Sequence, residues 1–483
     1  MLLTLLLPAQ QSLHKGPNII YIYADDLGYA ETGVYGQTKI KTPHINKMAA
    51  QGMRFTQHYT GSPVCAPARC ILMTGKHAGH SYIRGNYELG GFTDDKEGGQ
   101  MPLPTGTYTR AHLLKQQGYK TAAIGKWGLG VYGSTGSPDK MGFDYFYGYL
   151  DQKQAHNHYP THLWENGKWD SLNNAPLYVH RALSADETAT DSFARFTGNR
   201  YGPEMLLNKA EHFIAQQHRQ PFFLYLPITL PHVSLQAPSQ AVAQYTGQWP
   251  ETPYRGERGY ASTLYPRSTY AAMVSYLDNI VGAVFKSLQD NGLSNNTIVF
   301  FSSDNGATFE TGGFDPLFFE SNKPLRGTKQ DVYEGGIRIP FIAWWPGKIK
   351  PGSESEFISS QVDMMATLAA ISGAKVPATD GVSLMPVLTG NTGAAPKRDY
   401  LYFEFPEKGG QVAIRKGNWK GVKTGMKNNP NAVWELFDLS VDIGEQNNLA
   451  ALHPEILKEF DRIVLREHQH AHIREWEFVD PRF

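Results

Sequence analysis

The chain has 483 residues and no net charge, with 45 acidic and 45 basic side chains. That length passes the point at which a single hydrophobic core stops growing, and the charge balance offers no electrostatic footprint for a nucleic-acid partner. Two cysteines five positions apart are too few for a disulfide framework or a thiolate zinc site.

The opening Met1-Leu2-Leu3-Thr4-Leu5-Leu6-Leu7-Pro8-Ala9-Gln10 reads as the end of a secretory apolar region with a small-residue cleavage site, lacking a basic start. No run approaches the roughly 18 apolar residues of a membrane span. A soluble, periplasmic or secreted protein is expected. Pro17 to Ala24 is a nearly continuous apolar run, the pattern of a parallel-sheet strand covered on both faces. It ends in Asp25 and Asp26, adjacent carboxylates that repel one another unless a cation lies between them. Ligand sites of open α/β sheets lie at such strand ends, and hard oxygen donors point to Ca²⁺ or Mg²⁺.

A short helix over 42–52 precedes Ser62-Pro63-Val64-Cys65-Ala66-Pro67-Ala68-Arg69-Cys70. The turn residues and Pro67 place Cys65 at a helix N-terminus, where free N–H groups and the Arg69 cation favour an anion. Lys76 to Asn86 follows, with His77, His80 and Arg84 as candidate pocket residues. A helix over 109–118 and a strand over 119–125 deliver Lys126. Gly128 to Gly133 fits G-x-G-x-x-G, but Ser134-Thr135-Gly136-Ser137-Pro138 cannot open the helix which a dinucleotide site requires. Tyr145, Tyr147, Tyr149, Tyr159, Trp164 and Trp169 surround His156 and His158, and aromatic faces of this kind suit a sugar pocket.

A helix over 205–218 and a strand from Pro221 to Ile228 lead to His232. The amphipathic helix over 269–292 carries an apolar stripe of Met273, Leu277, Ile280, Val281, Val284 and Phe285. The strand Asn296 to Ser303 ends in Asp304 and Asn305, hard donors able to complete a cation site with Asp25 and Asp26. After a helix over 361–373, Gly390 to Lys397 reads as a linker; beyond it four short strands and a helix over 454–468 describe a small antiparallel sheet. The expected fold is α/β, with a catalytic domain at 17–390 built on a mostly parallel sheet and a C-terminal α+β subdomain at 391–483.

Cys65-Ala66-Pro67-Ala68-Arg69 resembles the signature of the type I sulfatases, in the alkaline phosphatase superfamily. Pro324-Leu325-Arg326-Gly327-Thr328-Lys329 and Glu334-Gly335-Gly336-Ile337-Arg338-Ile339-Pro340 resemble a further block of that family, and five blocks occur in family order. The resemblance implies that a formylglycine-generating enzyme oxidises Cys65 to formylglycine. It also implies that Asp25, Asp26, Cys65, Asp304 and Asn305 hold one Ca²⁺, and that Arg69, Lys126, His232 and Lys329 neutralise the sulfate, His232 or Lys329 protonating the leaving oxygen. The implied reaction is sulfate ester hydrolysis, with a sulfated sugar or oligosaccharide as substrate and His80, His156 and His158 as candidate sugar contacts. The family commonly has a histidine where this chain has Gly128. Two alternatives stay open: a phosphonate or phosphate ester hydrolase of the same superfamily, and a catalytically silent binder of sulfated glycans.

Overall fold

The computed structural model describes residues 16–93, 96–216, 220–429 and 431–480, so the apolar N-terminal segment lies outside the described residues. Strand β1 (Asn18–Ala24) is buried along its whole length. Ile20, Ile22 and Ala24 enter one core, whereas Ile19, Tyr21 and Tyr23 enter another on the opposite face. An uninterrupted apolar run therefore still alternates, because both faces are covered.

In chain order the main sheet continues with β2 (Met53–Phe55), β3 (Lys120–Lys126), β4 (Tyr145–Tyr149), β5 (His162–Glu165), β6 (Lys168–Ser171), β7 (Phe222–Pro227), β8 (Thr297–Ser303), β9 (Phe341–Trp344) and β10 (Ser353–Ser355). Their spatial order is β10-β2-β9-β8-β1-β7-β3-β4-β5-β6. The five central strands β8, β1, β7, β3 and β4 run parallel. Both ends turn antiparallel, at β8–β9 and β4–β5. The helix Cys65–Thr74 packs on one face, burying Ala66, Cys70, Leu72 and Met73. The helix Pro266–Asp290 covers the other with Met273, Leu277, Ile280, Val281 and Val284.

Leu401–Phe405, Gln411–Lys416, Trp419–Lys423 and Glu435–Asp438 form a separate four-stranded antiparallel sheet. One of its faces takes Phe460, Ile463 and Val464 of the helix Pro454–Glu467. Its other face packs Phe403, Ala413 and Phe437 against Val64, Val332 and Ile337. The small sheet thus backs the loops on either side of Cys65 and Lys329. No helix among the described residues is long and apolar enough to cross a membrane.

The aromatic stretch differs from expectation. Tyr145, Tyr147 and Tyr149 belong to β4, while Trp164 lies on β5 and Trp169 on the edge strand β6. Trp169 stacks on His162, and Trp164 Nε1 donates to Glu97. Tyr149 and Tyr159 are core residues. These rings extend the sheet and its packing, and none of them lines the cavity over Cys65.

Candidate active site

Four adjacent parallel strands deliver polar residues from the same edge of the sheet. Asp25 and Asp26 follow β1, Asp304 and Asn305 follow β8, Lys126 ends β3, and the turn after β7 carries His232. Backbone hydrogen bonds tie these ends together: Asp304 N donates to Ala24 O at 3.1 Å, and Asp25 N to Leu230 O at 3.1 Å. Cys65 is the first residue of its helix, as expected. Few N–H groups are free there, however. Pro67 has none, Ala66 N donates to Asn86 Oδ1 and Ala68 N to Val64 O. Anion attraction at Cys65 must come mainly from side chains.

Those side chains converge. Cys65 Sγ lies 3.4 Å from Asp25 Oδ1, 4.0 Å from Asp26 Oδ1 and 3.4 Å from Lys329 Nζ. Lys126 Nζ donates to Asp25 Oδ2 at 2.7 Å. Arg69 Nη2 donates to Asp304 Oδ2 at 2.9 Å and lies 3.5 Å from Asp25 Oδ2. Lys329 Nζ donates to Asp26 at 2.8 Å and to His232 Nε2 at 3.3 Å. His232 Nδ1 donates to Val233 O, so its Nε2 presents the lone pair that Lys329 meets.

Burial pushes Asp25 up, but Lys126 and Arg69 more than offset it and hold the carboxyl well below its usual range. Burial and the Asp25 charge push Asp304 up to about 7 against Arg69. Burial likewise raises Asp26 despite Lys329. Burial and Lys329 hold His232 well below its ordinary value, so it is neutral at pH 7. Burial pushes Lys329 down, but Asp26 together with Cys65, Asp25 and Tyr260 more than offsets it, so Lys329 stays cationic. Burial pushes the Cys65 thiol far up, and an unmodified thiol here is a poor nucleophile.

Three carboxylates face three cations, which leaves no surplus charge for an anion. Asn305 donates through Nδ2 to Asp26 Oδ1, and its Oδ1 is buried without a partner among the described residues. Asp25, Asp26, Cys65 and His232 also present ligand atoms within 4.8 Å of one another. Three buried carboxylates and an orphaned amide oxygen fit a hard divalent cation.

A cavity of about 160 Å³ opens above Cys65, lined by His156, His232, Tyr260, Phe309, Lys329 and Gln152 among others. Arg69 and Lys126 are not among its lining residues; they sit behind Cys65, bonded to the carboxylates. His156 stacks on His232 with ring centres 4.8 Å apart and reaches His180 Nε2 at 3.2 Å. His158 lies behind the cavity, bonded to Thr229 Oγ1 and His232 O. His80 is elsewhere: it stacks on His77 and bonds Asp380, next to Glu467. Arg84 pairs with Glu404 of the small sheet. Sequence reasoning missed Gln152. Gly128 has φ +70°, and a Cβ built there would lie 2.8 Å from Gln152 Nε2. The vacancy at Gly128 was the available signal.

The family model described as Sulfatase matches residues 17–374, and the model for the N-sulphoglucosamine sulphohydrolase C-terminal region matches 328–467. N-acetylgalactosamine-6-O-sulfatase of Bacteroides thetaiotaomicron is 30% identical over 512 residues, covering 93% of this chain and 92% of its own. Arylsulfatase A of Bos taurus is 33% identical over 490 residues, covering 95% and 88%. Among solved structures, Ps i-CgsB in complex with k-i-k-neocarrahexaose superposes with a TM-score of 0.75 at 28% identity, covering 95% of each chain. Matched by the family model over most of its length and by relatives along nearly all of it, the chain belongs to the sulfatase family, whose members hydrolyse sulfate esters.

Proposed function

We propose that this chain removes sulfate from a sulfated sugar or oligosaccharide, with Cys65 as the site of the formylglycine typical of the family. The observation that carries this reading is the place of Cys65 Sγ, 3.4 Å from both Asp25 Oδ1 and Lys329 Nζ at the floor of a polar cavity. Similarity to the N-acetylgalactosamine-6-O-sulfatase and to a carrageenan-oligosaccharide complex supports a carbohydrate leaving group. After maturation by a formylglycine-generating enzyme, residue 65 supplies a hydrated aldehyde, one hydroxyl of which attacks sulfur while the other later allows sulfate to leave. Asp25, Asp26, Asp304, Asn305 and residue 65 would hold a Ca²⁺ ion, which would supply positive charge favouring loss of a proton from residue 65 and would offset the carboxylates.

The protein's own side chains divide the remaining work. Arg69 and Lys126 hold Asp304 and Asp25 in place from behind. Lys329 and His232 face the cavity and meet the sulfate oxygens. Lys329 carries the proton and donates it to the leaving oxygen, and the neutral His232 fixes its ammonium through Nε2. His156 provides the cavity's second imidazole and faces the sugar side, whereas His158 supports His232 by bonding its carbonyl.

The test is sulfate release from sulfated mono- and oligosaccharides, N-acetylgalactosamine 6-sulfate and carrageenan oligosaccharides included, by protein co-produced with a formylglycine-generating enzyme. Release that stops in Cys65→Ser, falls on chelation and returns with Ca²⁺ is expected. No release from any substrate, with formylglycine verified by peptide mass, would overturn the carbohydrate reading.

A further inference from the structure

The main-sheet ladder continues past β3 and β4. Trp127 N donates to Tyr149 O at 2.9 Å and Gly128 N to Leu150 O at 3.1 Å. The chain then turns at Asp151, whose Oδ1 accepts from Lys153 N, and a short 3₁₀ turn at Gln154–His156 carries His156 to the cavity. Gln152 lies at the start of this turn and folds over Gly128: a Cβ at 128 would meet its Nε2, Cδ and Cγ at 2.8, 2.9 and 3.1 Å. Any other residue at 128 would displace it.

Gln152 is 94% buried, being 6% exposed, and its Nε2 makes no hydrogen bond among the described residues. It lines the same cavity as Cys65, His232 and Lys329. A buried amide N–H pair left without an acceptor is costly, so a group binding here is favoured if it accepts and does not donate. A sulfate ester is such a group, since every one of its oxygens accepts.

We infer that Gln152 is a sulfate-binding residue, an uncharged donor that the missing side chain at Gly128 makes room for. Its carboxamide N–H donates to a sulfate oxygen beside Lys329 and His232. The inference rests on the sulfatase reading of this cavity but is tested by binding, without turnover.

Full-length Cys65→Ala protein, alone and with Gln152→Ala or Gln152→Glu, is titrated by calorimetry with inorganic sulfate, N-acetylgalactosamine 6-sulfate and N-acetylgalactosamine. Thermal melts and circular dichroism establish that each variant is folded. Gln152→Ala is expected to weaken both sulfate-bearing ligands about tenfold, the worth of one hydrogen bond to a charged acceptor, and to leave the unsulfated sugar unaffected. The nearly isosteric Gln152→Glu sets a carboxylate against the anion and is expected to weaken them further. Affinities within twofold of the Cys65→Ala parent, or equal weakening of the sulfated and unsulfated sugars, would overturn the inference. Failure of sulfate release by matured wild-type protein would instead count against the proposed function.

Discussion

Asn157 alone separates His156 from His158, yet the two histidines meet different surroundings. His156 ends the 3₁₀ turn and reaches the cavity; burial and its neighbour His232 hold it well below its ordinary value, so it enters the reaction neutral. His158 is enclosed, and both ring nitrogens are used, one on Thr229 Oγ1 and the other on His232 O. His156→Ala in matured protein is expected to lower kcat/KM about 10²-fold with little change in Tm. His158→Ala strips the partners from two buried groups and is expected to lower stability by about 1–3 kcal/mol. Steady-state kinetics and melting curves on the two variants separate the effects. Equal losses of activity with unchanged melting in both would refute the division.

Between elements, the loop after the Cys65–Thr74 helix is latched to the end of the Pro454–Glu467 helix. His77 Nε2 donates to Glu467 at 2.9 Å, and His80 Nδ1 to Asp380 at 2.9 Å. Burial pushes Asp380 up, but the His80 hydrogen bond and the His77 charge pull it down to about 2. The His77 hydrogen bond, against burial, also holds Glu467 below the usual carboxylate range. Both folded-state values lie below the unfolded ones, so this stabilisation is present above the unfolded carboxylate range and is lost as pH falls through about 2. For Asp380 it amounts to about 2 kcal/mol. Proteolysis of the C-terminal helix is expected to accelerate between pH 5 and pH 2.5, an acid-stable protease at fixed activity being used, and Asp380→Asn should flatten that dependence (about 2 kcal/mol less stable near neutral pH). An unchanged acid profile in Asp380→Asn would show that the latch carries no pH-dependent stability.

At the scale of the whole molecule, a buried cation helps to join the small sheet to the catalytic loops. Lys420 Nζ lies 2.9 Å from Glu334 Oε1 and 2.9 Å from Glu445 Oε1, and none of the three side chains reaches solvent. Glu334 also accepts from Tyr59 and lies five residues beyond Lys329. Burial and Glu334 push Glu445 up to about 7 despite Lys420. Lys420→Met leaves two enclosed carboxylates without their shared cation, at a cost of about 3–5 kcal/mol. For a carboxyl raised in the folded state, stability is present below the unfolded value and is lost as pH rises through the folded one. The gap in urea midpoint between Lys420→Met and wild type is therefore expected to narrow when the pH is lowered from 8 to 5. A gap independent of pH would assign the loss to packing and not to charge.

The four strands that deliver the site were legible because burial on both faces writes them as apolar runs: β1, β3, β7 and β8, each ending in residues that cannot continue the run. The nucleophile turn and the Asp25, Asp26, Asp304 and Asn305 donors were legible for the same reason, since polar groups at such ends mark the edge where ligands bind. The antiparallel margins β2, β9 and β10 were not, being three or four residues long, and β4–β6 carry rings and charges that resemble a loop. From the sequence came the strand-end chemistry, through burial periodicity, and the reaction class, through the resemblance of the Cys65–Arg69 and Pro324–Pro340 blocks to the sulfatases. Only the tertiary structure decided that His80 joins a distant latch, that Arg69 and Lys126 stand behind the carboxylates while Lys329 faces the cavity, and that Gln152 takes the space over Gly128. Each of these depends on which segments far apart in the chain pack against one another, and local sequence periodicity does not encode that contact.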